Sequence, residues 1–133
     1  MIVENEDRKN LILYRLQQAD EAISDVQLLI ENERLRSAIN RIYYGMFYCL
    51  LALGLAFEFE TSKHAQLIGW FNKNFIHEGI FDSKYGKIIN KAFNHRTKGD
   101  YDTYVEFEKD IVVEMFDEMQ DFIAEIKTYL NEN

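Results

Sequence analysis

The chain has 133 residues with no proline, one cysteine, one tryptophan and six glycines. Few breakers means few interruptions, so the composition allows long, continuous helices. The single thiol, Cys49, permits no internal disulfide and sits in an apolar run, where a small hydrophobe is expected rather than a nucleophile. Three histidines, His64, His77 and His95, lie apart on separate segments, so no metal site is expected. No glycine-rich phosphate loop, nucleophile elbow or HExxH motif occurs, and no cofactor is expected. The N-terminal MIVENEDRKN is polar and acidic rather than a signal peptide, which makes the cytoplasm the expected compartment. Positive charge is also scarce: 15 Lys and Arg against 23 Asp and Glu give a formal net charge of −8. Broad, salt-driven binding to nucleic acid is disfavoured by that balance, while a local basic site stays open.

Hydrophobic residues make up 47% of the chain and aromatics 14%, enough for a sizeable core in one domain spanning residues 1–133. The stretch Ala38–Leu55 is the centre of the reading. From Ile42 to Phe57 it carries no charge, yet it contains Tyr43, Tyr44, Tyr48 and two glycines. A helix apolar on nearly every side is a buried helix. Sixteen uncharged residues are too few for a comfortable membrane span, and no membrane partner is expected. Burial of such a helix calls for covering helices, a second subunit, or both.

Helical periodicity organises the rest. Ile12, Leu16, Ala19, Ile23, Val26 and Ile30 step by four and three, predicting a first helix over about 6–31. Asn32-Glu33 is a tight connection into a second helix over about 34–55. FEFET, residues 57–61, alternates like a strand but has nothing to pair with and reads as a loop. Ser62 is the predicted N-cap of a third helix that runs to about His77 and ends at Glu78-Gly79. Asp82 or Ser83 caps a fourth helix reaching about Thr97, with Gly99 as its break. Thr103-Tyr104-Val105-Glu106 has a capping-box pattern and predicts the start of the fifth. Val112, Phe116, Met119, Ile123, Ile126 and Leu130 form its buried stripe, widened by Met115 and Phe122, and its acidic residues face out. The fold class is therefore all-α: an antiparallel up-and-down bundle of about five helices.

Three places can carry chemistry. On the fourth helix, Lys84, Lys87, Lys91, His95 and Lys98 share one stripe, which is either a solvated face or a contact for phosphate or an acidic partner. Arg96 instead projects between Ile89 and Ala92, inside the apolar arc. A guanidinium aimed into a bundle needs carboxylate or hydroxyl partners. Asp100 and Asp102 offer a structural ion pair; the alternative is an arginine held in a cleft for a phosphate. Arg41, with Tyr44, Gly45 and Tyr48 around it, poses the same question. Ser62-Lys63-His64 places cations at a helix N-terminus against the dipole, a conflict that a bound anion would relieve. His64 also lines up with Ile68 and Phe71, as a half-buried, hydrogen-bonded histidine would.

Three blocks together carry a resemblance: Asn40-Arg41-Ile42-Tyr43-Tyr44-Gly45-Met46-Phe47, then Ser62-Lys63-His64 leading to Phe71-Asn72-Lys73-Asn74-Phe75, then Arg96-Thr97-Lys98-Gly99-Asp100-Tyr101-Asp102. In this order and spacing the chain resembles HEPN-domain proteins over about residues 10–130. More narrowly, it is similar to the small stand-alone prokaryotic branch associated with minimal nucleotidyltransferases. The resemblance implies a helical bundle that forms a homodimer, with Arg96 facing a cleft at the dimer contact. In many members that arginine and a histidine that follows it after four to six intervening residues form a metal-independent ribonuclease site. In others the domain is the partner of a nucleotidyltransferase that can adenylylate a tyrosine near the motif. Here Tyr101, Asp102 and Thr103 occupy the positions of the histidine, so the motif is incomplete. Tyr101, with a reference pKa of about 10, is no histidine-like base near neutral pH. Asp100 or Asp102 can accept a proton or neutralise Arg96.

The expectation is thus a homodimer acting with a nucleotidyltransferase in a toxin–antitoxin-like or regulatory pair, with Tyr101 or Tyr104 as the modified residue. One alternative is an endoribonuclease in which Arg96 holds the scissile phosphate of RNA and Asp100 or Tyr101 replaces the histidine. Another is a nucleotide-binding module using Lys63, His64 and the lysine stripe, with Arg41 as a further phosphate ligand.

Overall fold

The computed structural model describes residues 6–102 and 104–132. Five α-helices follow one another: α1 (Glu6–Glu31), α2 (Leu35–Ala56), α3 (His64–Phe71), α4 (Ser83–Tyr101) and α5 (Lys109–Glu132), with no strand among the described residues. α2 is the axis. Fourteen of its residues are buried, among them Ala38, Ile42, Tyr43, Met46, Leu50 and Leu53. α1, α5, α4 and α3 all pack against it, with α5 also touching both α1 and α4. By length and composition α2 would also suffice to cross a membrane, but here its apolar surface is spent on the neighbouring helices.

The stripes pack largely as their spacing requires. α5 buries Val112, Met115, Phe116, Met119, Phe122, Ile123, Ile126 and Leu130. α1 buries Ile12, Leu16, Ala19, Val26 and Ile30, but with Ala22 fully enclosed where Ile23 was expected. The reason is a close three-helix approach at Gly45. A Cβ there would lie 2.3 Å from Met119 Cε and 3.0 Å from Ala22 Cβ. Only small residues let α1 and α5 come so near α2.

Two connections turn on non-glycine residues with positive φ. After α1, Glu33 has φ 55°, Arg34 N–H donates to Leu29 O at 2.8 Å and Glu33 N–H to Ile30 O at 3.0 Å. After α2, Glu58 has φ 58°, with Phe59 N–H donating to Gly54 O and Glu58 N–H to Leu55 O. Both are Schellman closures with glutamate at the usual glycine position.

The remaining boundaries differ from expectation in three places. The cap of α3 is Lys63, not Ser62, and it makes no side-chain capping bond; Thr61 Oγ1 instead accepts from Lys63 N–H at 3.2 Å. The helix then continues to Ile76 through a π-helical turn over Asn72–Ile76, against which Gly86 of α4 packs closely. Asp82 caps α4 as predicted, accepting from Lys84 N–H at 2.9 Å. Gly99, however, does not break α4, which runs on to Tyr101. Its bare Cα lies against Phe107 and Arg36, and Arg36 Nη1 donates to Gly99 O. Arg36 also reaches Asp102 O at 3.3 Å and Val105 O at 2.9 Å, so one guanidinium serves carbonyls that the helix end leaves over. Finally, α5 begins at Lys109 rather than at the Thr103 capping box. Thr103 lies outside the described residues; Val105 to Glu108 are non-helical, with Phe107 turned back toward α4.

Candidate functional site

α2 presents Arg41, Tyr43, Tyr44, Phe47 and Tyr48 within two turns. Tyr43 is fully buried and its ring is packed by Tyr44, Phe47 and Phe93. Its hydroxyl lies at the edge of the core, 2.6 Å from Nδ1 of His64, the first residue of α3. The imidazole stacks on Phe47, ring centroids 4.1 Å apart and planes 6° from parallel. Two contacts at right angles thus fix the ring. Burial, and secondarily the charge of Arg96, pull the His64 pKa below its ordinary 6.5, so the neutral ring is favoured. Burial raises the Tyr43 pKa, against a smaller opposing effect of Arg96. Its phenol stays protonated.

Arg96 arrives from α4 onto the same two tyrosines. Its Cζ lies 5.6 Å from the Tyr43 ring centre and 5.3 Å from that of Tyr44, and Nη2 donates to Tyr44 Oη at 3.1 Å. Asp100, one turn on, places Oδ2 2.9 Å from Nε. Nε is buried and makes no aligned hydrogen bond, so the pair is held by charge more than by direction. The Arg96 side chain remains 20% exposed and that of Asp100 36%. Tyr44 is also covered by Arg41, whose Cζ is 5.7 Å from its ring and 5.8 Å from that of Tyr48; Arg41 Nη2 donates to Tyr48 Oη at 3.4 Å. One tyrosine therefore sits between two guanidinium groups, a setting that favours anions and planar rings.

Two grooves flank this cluster. One of about 520 Å³ runs beside Phe47 and is lined by Leu11, Arg15, Leu51, Phe59 and Thr61 among others. The second, about 460 Å³, lies between Leu28, Asn40 and Arg41.

Arg96, Asp100, His64 and Arg41 thus converge through Tyr43, Tyr44 and Tyr48. Tyr101 and Tyr104 do not join them, being 82% and 93% exposed. Lys63 is exposed beside the site. The lysine stripe of α4 belongs elsewhere. Lys84 pairs with Asp121 at 3.1 Å and Lys91 with Glu118 at 2.6 Å, so α5 carboxylates already occupy it. His95 Nδ1 lies 2.9 Å from Lys91 O, its ring 6.2 Å from Phe107, and His77 is exposed on a turn. Among the described residues no group of His, Cys, Asp and Glu is arranged to hold a metal ion. Cys49 is buried, and burial raises its pKa.

The sequence shows His64 and Arg96 as separate candidates; their meeting is a tertiary fact. The one available signal was that each breaks an otherwise apolar helical face. Two polar groups pointing into the same small core have few places to go except toward each other. Tyr44, which joins them, and Arg36, which pins the α4–α5 connection, carried no comparable mark.

The chain matches the HEPN domain family over residues 12–129. It is a HEPN-domain protein. Two relatives of this HEPN chain cover it almost fully. A UPF0332 protein of Thermotoga maritima is 37% identical over 126 residues, 95% of this chain and 96% of the relative. Two proteins of Methanocaldococcus jannaschii carry the names "Putative toxin MJ0605" and "Putative toxin MJ0142". The first is 34% identical over 96% of this chain and 95% of its own, the second 32% over 86% and 78%.

Proposed function

We propose that this HEPN protein is the toxin-like member of a two-component pair: a cytoplasmic homodimer whose partner is a small nucleotidyltransferase. The observation that carries the reading is the display of Tyr101 and Tyr104 at the end of the helix that bears Arg96. Both rings stand in solvent, at 82% and 93% exposure. Tyr101 lies five residues beyond Arg96, about 7.5 Å along the helix axis. An AMP group added to either phenol would bring negative charge to the end of the helix that carries Arg96, where it competes with other anions for that guanidinium. The toxin names of two relatives fit this role, and a net charge of −8 suits a basic partner surface. The test is incubation with a small nucleotidyltransferase and ATP, followed by mass spectrometry of the intact chain and its peptides. AMP on Tyr101 or Tyr104 is the expected result; an unmodified chain counts against the pairing.

A second reading is favoured by the geometry of Arg96. Its guanidinium is directed inward by Tyr44 and Asp100 yet stays partly open, as a ligand for the scissile phosphate of RNA must be. On this reading the toxic activity is endonucleolytic. Cleavage of single-stranded RNA in the presence of EDTA, abolished by Arg96→Ala with the helical circular dichroism unchanged, is the expected outcome. Intact RNA across varied sequences would leave the pair without this activity.

A further inference from the structure

The endonuclease reading needs a proton-carrying group, and the two expected in place of the histidine are poorly placed for it: Asp100 is paired with Arg96 and Tyr101 stands in solvent. We propose that His64 is that group, supplied by α3 instead of α4, and that Tyr43 is its positioning residue. This rests on the endonuclease reading and adds to it the base that takes the attacking proton.

Several independent features single out this ring. It touches Tyr43 and Tyr44, with centroids 5.6 and 5.7 Å away, the same two rings that Arg96 covers. Its orientation is fixed by the Phe47 stack and by the 2.6 Å bond between Nδ1 and Tyr43 Oη. The 2.6 Å contact fits either tautomer; the proposal assigns the one in which Nδ1–H donates to the phenol, which leaves the lone pair on Nε2. The other imidazoles stand elsewhere, His77 on an exposed turn and His95 toward Phe107. Arg96, Tyr43 and Tyr44 face the ring from α4 and α2, and the Asp100 carboxylate is engaged with Arg96. Phe47, on which the ring stacks, also walls the groove of about 520 Å³.

The chemistry closes without a co-reactant other than water. Nε2 of His64 takes the proton of a ribose 2′-hydroxyl as its oxygen bonds to the adjacent phosphorus. The leaving 5′-oxygen, on the opposite side of phosphorus, takes a proton from water as the P–O5′ bond breaks, giving a 2′,3′-cyclic phosphate and a 5′-hydroxyl, and the imidazolium returns its proton to solvent. Arg96 holds the phosphate oxygens as charge accumulates, and Nδ1–H stays bonded to Tyr43. A phenol serves here where a carboxylate would otherwise orient the ring. A buried carboxylate next to Arg96 would be drawn into an ion pair, whereas a buried phenol stays neutral and in place.

The experiment uses the full chain on a fluorescent single-stranded RNA with EDTA, comparing wild type, His64→Gln, Tyr43→Phe and Arg96→Ala. His64→Gln should lower kcat by about 10²–10⁴-fold with KM little changed, the range for loss of a general acid–base group. Tyr43→Phe should lower kcat less and shift the acid limb of the pH–rate profile, which a merely structural role would not move. The products should carry cyclic phosphate ends. Cleavage by His64→Gln at the wild-type rate would overturn the assignment while leaving the endonuclease reading intact. A second measurement does not depend on cleavage: NMR titration of His64 with and without a deoxyoligonucleotide, which lacks the attacking hydroxyl. Its pKa should rise when a phosphodiester occupies the cleft, and an unmoved pKa would overturn the proposal even if RNA is cut.

Discussion

At the residue scale the core of the site is an electrostatic conflict. A histidine and an arginine share two tyrosines, and each charge makes the other costlier. The folded-state pKa of His64 lies below 6.5, so folding favours the neutral ring. That contribution is complete above the unfolded value and is lost as the pH falls through the folded one. The melting temperature should therefore decline between about pH 7 and about pH 5.5, and less steeply in His64→Gln, before most carboxylates titrate. Thermal melts across that window check it; parallel curves for the two proteins would contradict the burial assigned to His64. Arg96→Ala gives the complementary test. Removing the guanidinium removes one cause of the depression, so the His64 pKa should rise, as followed by its ring proton shifts in NMR. Both residues were visible in the sequence as polar interruptions of apolar faces. Their adjacency was not, because it depends on how α3 and α4 cross α2, and no spacing within one helix encodes that.

At the element scale, what was legible follows a simple rule. Long amphipathic repeats and a side-chain cap with a donor two residues on, such as Asp82, act locally and can be read. Boundaries fixed by distant groups cannot. Gly99 has a breaker's composition, but Arg36 from α2 satisfies the carbonyls around it and the helix continues. The two left-handed glutamates were equally hidden, since glycine is the usual sign of such a turn. Their conformation costs free energy that glycine would not, and this gives a prediction. Glu33→Gly should stabilise the protein by about 0.5–1 kcal/mol, read as a shift in the urea midpoint at constant slope. The Lys109–Glu33 contact that it removes is exposed and 3.5 Å long, of the kind that contributes little. Gly45→Val should do the reverse, costing about 1–3 kcal/mol by forcing Met119 and Ala22 away from α2. An unchanged midpoint in Gly45→Val would mean that α1 and α5 do not approach α2 as described.

At the scale of the whole molecule, the bundle covers α2 unevenly. Tyr44, Tyr48 and Leu51 remain only partly buried, on a line running from one groove to the other. Leu11, Tyr14 and Leu28 of α1 are exposed, two of them lining those grooves. In the homodimer proposed above, this apolar band next to Arg96 would form the seam. Elsewhere the acidic surface opposes association: α5 directs Asp110, Glu114 and Asp117 outward. Like charges on that face weigh against self-contact there. The expected mass in sedimentation equilibrium is accordingly twice the 15.8 kDa of one chain. Leu28→Glu tests the location. Leu28 is 59% exposed, so the fold should tolerate the change and the melting curve should hardly move at low concentration. Placed against its own symmetry mate, the new carboxylate would add like charge to the seam, and the mass should fall toward that of the monomer. If RNA cleavage depends on a cleft closed by two copies, it should fall in the same variant and recover with protein concentration. A wild-type chain sedimenting at 15.8 kDa across the accessible concentrations would remove the seam and leave the arginines of this band as groups on the surface of a monomer.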